Sequence, residues 1–298
     1  MSWTLQGKVA FITGAARGIG AGVARRLAAR GVRVALIGLE ADRLAALANE
    51  LGQGHVWFEC DVTSQQALDA AVAHVTRELG RIDVVMANAG IATFGTAVTT
   101  APDAMARVID VNLTGVIRTV SATLDAMIAA RGYYLLVASA ASFAPMPGLA
   151  AYAASKSGVE QFANAFRYEV AYRGIDVGSA HPCWIDTDLV RDAHDDLPAF
   201  RAILARLPPP FGTITSIDRC VDGLVGAVER RARKTYVPRG LVPFALLRHV
   251  LVTPPFDFIL RRNAAQSVPD LERDSQTLGR SFGLHSVESQ RTNVPPRS

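Results

Sequence analysis

Short apolar runs alternate along the chain with longer stretches in which apolar residues recur every three or four positions. Lys8–Thr13, Val32–Ile37, His55–Glu59, Ile82–Ala87, Tyr133–Ala138 and Ile175–Ala180 read as buried strands. Gly18–Arg30 reads as a helix, with Ile19, Val23 and Leu27 along one face. Further helices are predicted over Asp42–Leu51, from a Ser64 cap to Leu79, over Pro102–Ala130, Ala150–Tyr172 and Ser216–Arg230. Thr235–Pro238 supplies a last short strand. Such alternation predicts a parallel sheet covered on both faces, with right-handed crossovers. Ligands then bind beyond the carboxyl ends of the strands, where strand order reverses.

Past His181 the pattern weakens. Asp186 to Gly212 holds acidic residues, a short helix and Pro208-Pro209-Pro210, and is expected to form a lid over about 186–214. The core domain is therefore placed at 1–238, with an extension over 239–298. Leu241 to Leu260 is apolar but broken by Arg248, His249, Pro254 and Pro255, and Arg239, Arg261 and Arg262 flank it. It is expected to pack on a partner subunit or cover the pocket; peripheral contact with a membrane is the less favoured reading. From Ser267 the sequence turns polar, which predicts disorder.

Composition narrows the class. The chain has 298 residues, half of them hydrophobic, enough for a substantial core. Its net charge of +4 is diffuse, without the basic stripe and aromatics of a nucleic-acid site. Cys60, Cys183 and Cys220 are isolated, so no metal site is expected and a reduced, cytoplasmic setting fits. The early apolar run is broken by Gly14, Gly18 and Gly20, unlike a signal peptide. No unbroken run of about 18 apolar residues predicts a spanning helix.

Chemistry concentrates in two places. The first predicted strand runs into Thr13-Gly14-Ala15-Ala16-Arg17-Gly18-Ile19-Gly20, and a helix follows. Glycines there let backbone approach a pyrophosphate, and the helix N-terminus offers free amides. Glycines also make ordinary turns; the position between strand and helix favours the nucleotide reading. Asp61-Val62 and Asn88-Ala89-Gly90 follow the third and fourth strands, where they can face adenine and ribose or simply cap and turn. Tyr152 and Lys156 share one helical face at four-residue spacing, and Ser139 ends the fifth strand. A phenol is a poor base at neutral pH, but a nearby ammonium favours the phenolate. Tyr152 can then exchange a proton with an alcohol oxygen that Ser139 holds. A Tyr–Lys pair by itself is an ordinary amphipathic surface; the serine and the glycine turn make it chemistry.

The glycine turn, the Asn-Ala-Gly element, the Tyr-x-x-x-Lys pair and the upstream serine together resemble the short-chain dehydrogenase/reductase family over roughly residues 5–237. The resemblance implies an α/β, three-layer Rossmann fold, a doubly wound parallel sheet of about seven strands with helices on both faces. It implies a tetrad: Asn112 holding a water that links to a proton relay, Ser139 orienting substrate, Tyr152 as acid/base, and Lys156 on the nicotinamide ribose. His181-Pro182-Cys183-Trp184-Ile185-Asp186-Thr187 resembles a family element that binds the carboxamide, so Pro182, Ile185 and Thr187 join the cofactor set. Cys183 stands where glycine is usual and is expected to alter the turn slightly. NAD-preferring members carry an acid at the end of strand two; here that position is Gly38, followed by Leu39. With Arg17 in the glycine turn, this favours NADP(H) over NAD(H), although Glu40 stands two residues on and no arginine follows Gly38 directly.

The expected pocket wall is Phe94, Ser139, Ala141, Phe143, Met146, Pro147, Trp184 and Leu189, mostly apolar. An apolar alcohol or carbonyl substrate is therefore expected, handled by an NAD(P)-dependent dehydrogenase or carbonyl reductase. A cofactor-retaining epimerase or dehydratase of the same fold, or a redox-silent nucleotide sensor, are the alternatives. The resemblance also implies a homodimer or homotetramer built through the helices containing Val111 and Tyr152.

Overall fold

A computed structural model describes residues 3–144, 146–250 and 253–286. Its strands are β1 (Val9–Thr13), β2 (Arg33–Gly38), β3 (Val56–Glu59), β4 (Val84–Ala87), β5 (Tyr133–Val137), β6 (Asp176–Pro182) and β7 (Lys234–Val237). All seven run parallel, in the order β3-β2-β1-β4-β5-β6-β7. Every residue of β1, β4 and β5 is buried, as apolar strands covered on both faces must be. Helices α1 (Gly18–Ala28), α2 (Ala41–Leu51) and α9 (Ile217–Arg230) pack on one face through Val23, Leu27, Leu44 and Leu224. Helices α3 (Gln65–Leu79), α5 (Gly115–Ala130) and α6 (Ala150–Val170) cover the other through Leu68, Val75, Val120, Val159 and Phe166. This is the doubly wound, three-layer Rossmann fold. Strand order reverses between β1 and β4, and the crevice at their carboxyl ends is where such folds bind ligands.

Two expectations need correction. The predicted single helix Pro102–Ala130 is α4 (Pro102–Ile109) joined to α5 by a π turn at Asp110–Thr114. Its length and mean hydropathy of 1.3 would suit a membrane span, yet Val116, Val120 and Met127 are buried in the core. The π turn admits one extra residue and buries Asn112 completely.

The second correction concerns the extension. Disorder is expected from Ser267, but α11 runs over Pro254–Leu278, after the short α10 (Val242–Leu246). Polar groups anchor α11 to the body. Thr96 Oγ1 donates to Glu272 Oε1 at 2.8 Å, and Thr99 Oγ1 and Ser275 Oγ lie 2.9 Å apart. The lid consists of α7 (Asp188–Asp196) and α8 (Pro198–Arg206), and Ala199 N donates to Asp274 Oδ2 at 2.7 Å. Gly279, in the left-handed region at φ 64°, ends α11 and turns the chain back. Phe282 then bridges Thr93, and Phe94 N donates to Ser281 O at 2.8 Å. Phe282 is buried against Ala104, Val108 and Tyr152. The expectation for 287–298 falls outside the described residues.

Candidate active site

The glycine turn is built by backbone demands. Gly14 and Gly18 take φ of 63° and 55°, which side-chain-bearing residues avoid. A Cβ on Gly20 would sit 2.3 Å from the Gly14 carbonyl oxygen, and one on Gly14 2.8 Å from Ala89 Cα. Thr13 Oγ1 accepts from the Asn88 and Ala89 amides at 2.9 and 3.1 Å. Asn88 Nδ2 donates to the carbonyls of Thr13 and Gly14 at 3.0 and 3.2 Å. Asn88 therefore braces the turn, one of the two roles its position after the fourth strand allowed. Helix α1 begins at Gly18 with no acidic residue in its first turn, which suits an anion.

Beyond this turn opens a cleft of about 260 Å³. Of the residues expected to hold the cofactor, Gly14, Arg17, Gly18, Ile19, Gly38, Asp61, Val62, Asn88, Ala89, Gly90, Tyr152, Lys156, Pro182 and Thr187 line it. Gly20, buried in α1, and Ile185, which is buried in the wall of the neighbouring cavity, do not. Asp61 Oδ1 accepts from Thr63 N and Oγ1, and Arg107 approaches its Oδ2 at 3.2 Å. Those bonds and Arg107 hold its carboxyl below the usual range against the opposing effect of burial. The turn and its cradle of glycines fit a dinucleotide.

Arg17 is engaged more fully than its spacing suggested. Its Nε donates to Glu40 Oε2 and its Nη1 to Asp188 Oδ2, each at 3.1 Å. Arg43 lies 3.4 Å from Glu40 Oε1. Glu40 thus faces the cleft between two guanidiniums, and Gly38 leaves room: a Cβ there would meet nothing nearer than 3.7 Å.

The proton-handling residues meet at the inner end. Lys156 Nζ donates to Val137 O at 2.9 Å and lies 5.7 Å from the centre of the Tyr152 ring. Burial lowers the Lys156 pKa to about 8. Burial raises that of Tyr152, with the Ser139 hydrogen bond pulling the other way. Without cofactor the phenol is thus held protonated; the lowering expected from the sequence combines the Lys156 ammonium with a cationic nicotinamide ring. Ser139 Oγ accepts from Ala141 N at 3.2 Å and donates to Pro182 O at 3.4 Å. The Asn112 side chain is fully engaged. Its amide donates to Ile91 O and Ser155 Oγ at 2.9 and 3.1 Å and accepts from Ile91 N at 2.8 Å. Those bonds commit the side chain to fixing the loop after β4, outside the cleft wall. Behind Ser139, burial pushes His181 down to about 4, so it is neutral. Its Nδ1 is 3.3 Å from Ser139 O and its Nε2 3.0 Å from Ser179 Oγ, so the Nδ1–H form satisfies both.

A second cavity, about 340 Å³, opens on the other side of Tyr152. Of the residues expected to form the pocket wall, Ser139, Ala141, Met146, Trp184 and Leu189 line it. Phe143 does not: its ring packs on His181 and Tyr236, with centroids 5.9 and 6.0 Å apart. Phe94 and Pro147 also lie outside this wall; Phe94 borders the cofactor cleft, and both face a smaller hollow near Leu271. Trp184 has φ 42°, an uncommon value for a bulky residue, one position after Cys183. Sequence reasoning expected a lid and an extension that could cover the pocket, but did not single out the residues they bring to the outer wall, Leu207, Pro208, Phe211, Phe244 and Leu260. It also missed Asp192, Gly283, His285 and Ser286 at the cleft. His285 N donates to Asp192 Oδ2 at 2.9 Å, and its ring bonds Asp192 Oδ1, which raises the His285 pKa. No spacing rule links residues 93 positions apart.

Fold and cleft define a class, the Rossmann-fold nucleotide-binding oxidoreductases. Within it, the model of the family described as short chain dehydrogenase matches residues 8–198, and the chain belongs to that family. It is an NAD(P)-dependent oxidoreductase. An uncharacterised oxidoreductase of Mycobacterium tuberculosis is 38% identical over 209 residues, 63% of this chain and 75% of that protein. The 3-oxoacyl-[acyl-carrier-protein] reductase of Escherichia coli is 33% identical over 204 residues, 68% of this chain and 83% of the relative. Among solved structures, the alcohol dehydrogenase of the archaeon Thermococcus sibiricus, complexed with 5-hydroxy-NADP, is 27% identical with a TM-score of 0.66. That likeness covers 77% of this chain and 95% of the other. The 3-ketoacyl-(acyl-carrier-protein) reductase of Brucella melitensis, complexed with NADH, is 25% identical with a TM-score of 0.71, covering 78% and 98%.

Proposed function

We propose that this oxidoreductase interconverts an apolar secondary alcohol and its ketone, or a related aldehyde, with NADP(H) favoured over NAD(H). One observation carries the reading: Tyr152 forms a wall common to the cofactor cleft and to a cavity that, among the described residues, has no charged side chain in its lining. A nicotinamide cofactor, when bound, gives or takes the hydride. Tyr152 Oη gives the proton to the carbonyl oxygen during reduction and takes it back during oxidation. Ser139 Oγ donates a hydrogen bond to that oxygen as charge develops. Lys156 lines the cleft beside the phenol, and its ammonium, together with a cationic oxidised ring, favours the phenolate when an alcohol must lose its proton. Asn112 acts one step removed, by fixing the Ile91 loop. The resting phenol, kept protonated by burial, is ready to serve carbonyl reduction. The apolar faces of α5 and α6, with Ile117 and Tyr168 exposed, suit assembly of like subunits.

The cofactor preference rests on Gly38, which presents no carboxylate to a 2′-phosphate, and on Arg17 and Arg43, which that phosphate can share in place of Glu40. Glu40 itself favours a second reading, NAD(H), because a carboxylate at the cleft can accept from a ribose hydroxyl. The test of chemistry is Tyr152→Phe, assayed by nicotinamide absorbance with long-chain ketones. Turnover should fall by about 10²–10⁴ while cofactor affinity stays within about twofold. Retained turnover contradicts the assigned proton donor.

A further inference from the structure

The outer surface of the extension is apolar. Leu246, Leu247, Val250, Phe258, Ile259 and Leu260 are exposed within fifteen consecutive positions, Leu246 and Phe258 at 75% and 67%. Large apolar side chains exposed singly are ordinary; a contiguous group marks an interaction surface. The segment is two-faced. Leu241 is fully buried and Phe244 packs on Phe211, while Leu246 and Leu247 point outward. Around the apolar group, Arg239, His249, Arg261 and Arg262 are exposed. From 239 to 262 the sequence carries four arginines, of which Arg248 pairs inward with Glu160, and one acidic residue, Asp257, which pairs with Arg261. The patch also continues inward, because Leu260 and Phe244 form part of the wall of the apolar cavity that reaches Ser139 and Tyr152.

From this we infer that α10 and the first turns of α11 dock on an anionic lipid bilayer and admit a membrane-dissolved alcohol or ketone to the cavity. The inference rests on the proposed function for its substrate and on the surface alone for its docking. Apolar side chains flanked by arginines suit an interface where lipid tails meet negative headgroups, each arginine near the surface contributing about fivefold in affinity. A second copy of the chain is the poorer occupant, because a self-matched interface would bring the arginines of both copies together. An apolar substrate partitions into the bilayer, and the cavity wall made by Leu260 and Phe244 places its entrance beside that store.

The test uses the full-length protein with vesicles of phosphatidylcholine alone or with about a third phosphatidylglycerol. Sedimentation should show binding to the anionic vesicles at least about tenfold tighter than to the neutral ones. The double variant Leu246→Glu with Phe258→Glu, both surface positions, should lose that binding. It should keep wild-type turnover of a short, water-soluble secondary alkanol, yet lose turnover of a long-chain alkanol presented in vesicles. Equal binding to both vesicle types, or binding kept by the double variant, overturns the proposal. So does a wild-type oligomer, formed without lipid, that the double variant dissolves, since the patch would then join copies of the chain. Absence of turnover with every alkanol, while vesicle binding follows the expected pattern, would instead count against the proposed reaction.

Discussion

The glycine turn after β1 and the strap at residues 281–286 border the same cleft, but they are specified in different ways. The turn is a local device. Its φ values and its close approach to Ala89 admit only glycine at key positions, so its composition declares its shape. The strap is held from a distance. Phe94 binds Ser281, Thr93 bridges Phe282, and Asp192 binds His285. Nothing in residues 279–286 alone specifies where they dock. Composition shows what a segment can do locally, whereas docking depends on partners that only the fold supplies.

Gly20→Ala should break the local device. Its methyl would meet the Gly14 carbonyl, and cofactor affinity should drop by about a hundredfold or more in fluorescence titration. Affinity near wild type would mean that the turn relaxes and does not cradle the ligand. Truncation after Leu278 tests the distant device. It removes Phe282 from beside Tyr152 and leaves Asp192, 5% exposed, without His285. The cofactor should then bind about tenfold more weakly, mainly through faster release in stopped-flow displacement. Unchanged release would reduce the strap to packing. Gly38→Asp sharpens the account of the turn's neighbour. The side chain has room, and the ratio of kcat/KM for NADPH over NADH should fall by about tenfold. An unchanged ratio would place cofactor selection elsewhere, with Glu40 the first residue to replace.

The same division explains how much of the molecule could be read from sequence. All seven strands and the covering helices were legible, because burial on both faces leaves apolar runs and burial on one face leaves a helical stripe. The cofactor cleft was largely legible, since its residues end strands or open helices. Asn112 was found by spacing alone, while the π turn that aims its amide at Ile91 and Ser155 leaves no such trace. Phe143 was placed in the pocket because it follows β5, but His181 and Tyr236 provide a better apolar bed behind the site. The part of α11 from Ser267 onward was taken for disorder because its polar side chains are the ones that dock, Glu272 on Thr96 and Ser275 on Thr99. Polar anchoring and solvation look alike in a sequence.

Deuterium transfer tests the central claim most directly. The protein would be given a long-chain ketone and reduced cofactor carrying deuterium at the hydride-donating carbon, and the alcohol formed would be examined by mass spectrometry. Hydride exchange at a cleft shared with Tyr152 predicts one deuterium on the carbinol carbon, and loss of that product in Tyr152→Phe. Alcohol formed without the label, or with the label in undiminished amount from Tyr152→Phe, would contradict the account.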